Sequence, residues 1–148
     1  MRISVKGRYA LAAVTVIAAR ARNRENVTVS SISEELGISR IYLEQVFSQL
    51  KKDGILVSEK GPRGGYQLSS SPSSLTVWDI LNTLETGLSE QTEETVRDAA
   101  PELELALGDV VYAPLSAALR ECLSGISVQD LLDGAEVQRG QQAYMLNI

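Results

Sequence analysis

No histidine occurs in the chain, and cysteine occurs once, at Cys122. Those two scarcities put Cys/His zinc sites and internal disulfides out of reach, along with the Ser–His and Cys–His pairs behind most nucleophilic catalysis. No apolar stretch approaches the roughly 20 residues that a membrane span needs, and the opening MRISVKGRYA lacks the apolar centre of a signal peptide. A soluble, cytoplasmic protein without membrane association is therefore expected. Walker and Rossmann glycine patterns are absent as well, because the glycine cluster lies between two β-capable segments and not ahead of a helix. No enzyme constellation is visible, no internal repeat recurs, and neither a catalytic residue, a metal site nor a cofactor is expected.

What remains is 148 residues at 44% hydrophobic content, enough for one compact unit that includes an oligomerisation element. The net charge of −5 hides a division along the chain. Residues 1–66 hold eleven Lys/Arg against six Asp/Glu, whereas residues 67–148 hold three against thirteen. A basic half suits phosphate contact, and an acidic half suits a solvated or partner-binding region held away from it.

Apolar residues Tyr9, Ala10, Ala13, Val14, Ile17 and Ala18 recur at helical spacing between Lys6 and Arg22, predicting a first helix. Thr28 is placed to cap a second helix buried through Val29, Ile32 and Leu36 and stopped by Gly37. Ser39 is placed to cap a third, whose Leu43, Val46, Phe47 and Leu50 form one buried face. The stretch ILVSEKGPRGGYQLS then reads as a hairpin with a cationic tip. Thr76 opens a fourth helix that ends near Gly87, and an acidic segment without periodicity, residues 88–101, is expected to be a mobile loop. From Glu102 to Leu123 a long apolar stripe returns, with Pro114 either kinking the helix or starting a new one. Gly125 stops it, Ser127 caps a short helix ending near Asp133, and a tail follows. The expected architecture is mainly α with one small β-hairpin: a winged helix-turn-helix over residues 1–87 and a long C-terminal helix suited to dimerisation in 102–148.

Three helices followed by a hairpin is the order that lets a third helix enter the DNA major groove while the hairpin reaches phosphates. The stretches ISVKGRYAL, GISRIYLEQVFSQLKKDGIL and KGPRGGYQL resemble the Rrf2 family of bacterial regulators, and the likeness covers nearly the whole chain. The resemblance implies a DNA-binding transcriptional regulator, read here as a repressor, that acts as a homodimer on a palindromic operator. By motif it places Ser39, Arg40, Tyr42, Glu44 and Gln45 against the major groove and Lys60 and Arg63 on the wing. Arg2, Lys6 and Arg8 then suit phosphates better than bases. Dimerisation is assigned to Leu107, Val111, Leu115 and Leu119. Arg40 suits guanine or a phosphate, Gln45 suits adenine, and Glu44 can accept from cytosine. Two alternatives stay open: Glu44 as the i+4 ion-pair partner of Arg40, and Tyr42 as packing against the first helix.

Cluster-binding members of the family place three cysteines in the loop before the long helix, where this chain reads LSEQTEETVRDAAPELEL. The resemblance therefore points to the cluster-free branch that represses cysteine-metabolism genes, and the ending QQAYMLNI resembles that branch too. There, sensing is implied to run through a cysteine-synthase-type partner protein. Cys122, on the apolar stripe, is read as a buried structural thiol, with a redox-responsive sensor as the alternative. A protein-interaction module built on a winged helix is the rival reading. The cations Arg40, Lys51, Lys52, Lys60 and Arg63 weigh against it.

Overall fold

The computed structural model describes residues 3–23, 25 and 27–147. Ser4 accepts the amide of Gly7 and so starts α1 (Val5–Ala21), whose Ala10, Ala13, Val14, Ile17 and Ala18 are buried. Thr28 caps α2 (Val29–Leu36) by accepting the amide of Ser31, and Gly37 ends it at φ 65°, the left-handed conformation that glycine adopts without strain. After Ile38 and Ser39 comes α3 (Arg40–Lys52), buried through Leu43, Val46, Phe47 and Leu50 as its periodicity predicts. Ser39 holds the N-cap position, yet its hydroxyl makes no capping bond.

The wing is the antiparallel pair β1 (Leu56–Glu59) and β2 (Gly65–Leu68), with Leu56 opposite Leu68 and Glu59 opposite Gly65. Three contacts fix it to the core. Tyr66 packs edge-on against Phe47 at 4.8 Å between ring centres, Lys51 Nζ donates to Ser58 Oγ at 2.6 Å, and the Tyr66 amide donates to the Val27 carbonyl at 2.7 Å.

Two capping boxes, Thr76 with Asp79 and Ser127 with Asp130, begin α4 (Val77–Leu84) and the last helix, α7 (Val128–Leu146). These starts lie side by side, joined by Val77 N–H to the Ile126 carbonyl at 2.8 Å and Val128 N–H to the Leu75 carbonyl at 2.9 Å. Val128 and Leu132 thereby enter the core formed by α1, α3 and α4. Between them run α5 (Pro101–Leu107), a π-helical turn over Gly108–Tyr112, and α6 (Ala113–Ser124).

Two expectations need correction. The final helix does not stop near Asp133 but continues to Leu146, because Gly134 and Gly140 cost a helix only about 1 kcal/mol each and Ala, Glu, Gln, Arg, Met and Leu around them favour it. The long stripe is neither simply kinked nor restarted. Its hydrogen-bond ladder shifts by one residue, with the Ala113 amide donating to Gly108, so the ring of Pro114 arrives where its missing N–H is already accommodated. The acidic loop is tied down at one point, where Glu104 Oε2 accepts the amides of Thr95 at 2.9 Å and Val96 at 2.6 Å.

Candidate nucleic-acid interface

Burying Leu43, Val46, Phe47 and Leu50 turns the opposite side of α3 to solvent, and Arg40, Ile41, Glu44, Gln45, Ser48 and Lys52 are all exposed there. The turn at Gly37 and the buried Ile38 set the angle between α2 and α3, reinforced by Ser33 Oγ donating to the Ile38 carbonyl at 2.6 Å. Next to the N-terminal end of α3 lies the wing. Arg40 and Glu44 line one groove with Thr28, Ser58, Glu59 and Gly64. The exposed side of α3 and the hairpin thus form one continuous surface, with Lys60 and Arg63 exposed at the tip of the turn.

The named residues fall into three groups. Ser39, Arg40, Glu44 and Gln45 are brought together on the open face at the start of α3. Arg40 Nε pairs with Glu44 Oε1 at 3.2 Å, so the ion-pair role exists in the free chain while both side chains stay largely exposed. Tyr42 sits half-buried at the edge, its ring edge-on to Tyr9 at 5.4 Å, which is the packing role against α1. Lys6 is half-buried in the first turn of α1 and Arg8 is exposed, whereas Arg2 lies outside the described residues. Ile41 was absent from the sequence-based set. A helical wheel of α3 finds it, since 41, 45, 48 and 52 share one line.

In the C-terminal half of the chain, Leu103, Val110, Val111 and Leu115 are exposed, while Leu107 and Leu119 are half-buried against their own chain. Arg120 stacks over Trp78 at 5.3 Å and joins α6 to α4. Cys122 is exposed in the single chain, so no burial of its thiol comes from its own chain.

Comparison with known proteins agrees with this geometry. Residues 3–134 match the Rrf2 family model, described as "Iron-dependent Transcriptional regulator". The chain is 33% identical over 139 residues to the HTH-type transcriptional regulator IscR of Aliivibrio salmonicida, covering 94% of this chain and 82% of that one. Among solved structures it resembles CymR, the global cysteine regulator of B. subtilis, with a TM-score of 0.72, 30% identity, and 90% and 97% of the two chains covered. It also resembles T. potens IscR, with a TM-score of 0.70, 30% identity, and 91% and 88% covered.

The family description implies iron, and this chain's donors do not fit an iron–sulfur cluster. Such clusters are held by several thiolates, whereas the one thiol stands on α6 and the 88–100 loop has none. The buried carboxylate nearest that loop, Glu104, is committed to two backbone amides. Among the described residues no three Cys, Asp or Glu side chains cluster in a way that could hold a metal ion.

Proposed function

This chain belongs to the Rrf2 family of helix-turn-helix transcriptional regulators, which are not enzymes, and from that premise we propose that it is a cluster-free repressor, acting in the cytoplasm as a homodimer on a near-palindromic operator and controlling cysteine or sulfur metabolism. The observation that carries the reading is the solvent-facing start of α3, with Arg40, Glu44 and Gln45 beside a wing tipped by Lys60 and Arg63, in the half of the chain where cations predominate. Ser39, Arg40, Glu44 and Gln45 contact the major groove, Tyr42 meets it only with the exposed part of a ring packed on Tyr9, and Lys6, Lys60 and Arg63 contact phosphates. The likeness to CymR supports the assignment to cysteine control. Exposed Tyr144, Met145 and Leu146 at the end of α7 support docking onto a cysteine-synthase-type partner.

Homodimerisation is supported by the exposed stripe Leu103, Val110, Val111 and Leu115, an apolar surface that a free monomer would leave in water. No helix of the described residues is long and apolar enough to cross a membrane.

The test is binding of the full chain to duplex DNA across salt concentrations, followed by mapping of its genomic sites. Log affinity is expected to fall linearly with log salt, with a slope near −0.9 per phosphate neutralised. Sites upstream of sulfur-assimilation genes support the cysteine reading. Salt-independent affinity would reject DNA binding, and sites elsewhere would reject the cysteine assignment alone.

A further inference from the structure

Ile41 is out of keeping with the face it occupies. At about 100° per residue, Leu43, Val46, Phe47 and Leu50 take one side of α3, and Ile41 falls almost diametrically opposite the middle of that stripe. Its side chain is 71% exposed, the most exposed large apolar side chain among the described residues before Leu103. It therefore adds nothing to the core, and in the free chain it leaves hydrocarbon in water.

Its neighbours say what it fits. Arg40 precedes it, and Glu44, Gln45 and Ser48 follow at i+3, i+4 and i+7, so one branched aliphatic group is framed by hydrogen-bonding side chains at the N-terminal end of the helix, the part that meets base edges in helix-turn-helix complexes. No second large apolar residue lies on that line, and protein interfaces are built on apolar clusters, not single groups. In the major groove the complementary apolar group is the 5-methyl of thymine, which no other standard base presents. The β-branch also restricts χ1, so little rotamer freedom is lost on contact. We propose that Ile41 reads the 5-methyl group of one thymine in each half-site of the operator, an inference that rests on the DNA-binding reading above.

The experiment separates the two. An operator is selected from random duplex DNA with the full-length wild-type chain, and each thymine is then replaced by deoxyuridine, which removes the methyl and keeps every hydrogen-bonding group. One symmetric position is expected to lose affinity by about four-fold per half-site, the worth of one buried methyl group. Ile41→Ala is expected to bind the thymine operator as weakly as wild type binds the deoxyuridine one, and to bind both operators alike. Ile41→Val, which keeps the branch, retains most of the discrimination. If wild type selects an operator but no deoxyuridine matters, or if Ile41→Ala discriminates as wild type does, the inference is overturned with DNA binding intact. If no sequence is selected at all, the DNA-binding reading falls and takes this one with it.

Discussion

Glu104 is only 6% exposed, and one of its oxygens serves two backbone amides at once. Truncating it strands both donors, and a buried unsatisfied group costs about 1–3 kcal/mol. Glu104→Ala is therefore expected to lower stability in denaturant unfolding by about that amount and to speed amide exchange at Thr95 and Val96, with Glu104→Gln losing less because an acceptor oxygen remains. Gly65 poses the opposite problem. A β-carbon there would lie 2.8 Å from the Val27 carbonyl oxygen and 2.9 Å from its amide nitrogen, both rigid backbone atoms. Gly65→Ala is expected to cost about 1–3 kcal/mol through overpacking and to weaken DNA binding by displacing the wing, read by melting and by fluorescence anisotropy. The sequence shows Gly65 only as part of the glycine cluster between two β-capable segments, because Val27 reaches it only through the tertiary fold. Glu44 was more legible. Its pair with Arg40 is exposed and contributes a few tenths of a kcal/mol, so Glu44→Ala is expected to change base preference at one operator position while leaving the melting curve nearly unmoved.

Elements whose ends carry side-chain caps were readable from the chain alone. Thr28, Thr76 and Ser127 each accept the amide that their position predicts, and the αL glycine at Gly37 closes α2 where expected. The end of α7 was not readable in this way, since Gly134 is a stop signal only when the chain beyond it has somewhere else to go. The π turn was hidden for a different reason: Pro114 announces a break in the ladder without saying how it will be absorbed. Its form has a consequence. One extra residue in a turn removes about 100° of rotation, so Leu115 and Cys122, which would drift away from Leu103 and Val110 along an uninterrupted α-helix, return to the same line. Pro114→Ala lets the ordinary i to i−4 bond compete with this register. The variant is expected to stay folded but to self-associate more weakly than wild type, as measured by sedimentation equilibrium; unchanged association would mean that the turn does not align the stripe.

Across the whole molecule, the cations that could hold phosphates and the apolar stripe that could hold a second copy are on different parts of the chain. Arg40, Lys60 and Arg63 belong to α3 and the wing, while Val110, Val111 and Leu115 belong to the π turn and α6, which touches the rest mainly through α4. The acidic C-terminal half, with thirteen Asp/Glu against three Lys/Arg, would be repelled by DNA. Such a division permits two copies to join through α5 and α6 and leave both α3 helices facing one duplex, with half-site centres one helical turn or a multiple of it apart. Each aliphatic side chain fully covered in that interface contributes roughly 1.5–3 kcal/mol. The structure also says which substitutions test this cleanly. Leu107 and Leu119 are half-buried within their own chain and would damage the fold if charged, whereas Val111 and Leu115, the latter 65% exposed, have little fold to lose. The double variant Val111→Glu, Leu115→Glu is expected to keep the wild-type circular dichroism spectrum, to sediment as a monomer, and to bind a full operator no better than a half-site. Its salt dependence should fall to about half the wild-type slope, because one copy neutralises half the phosphates. A folded variant that still sediments as a dimer and keeps full operator affinity would move the interface to another surface, with the exposed end of α7 at Tyr144, Met145 and Leu146 the next to be charged.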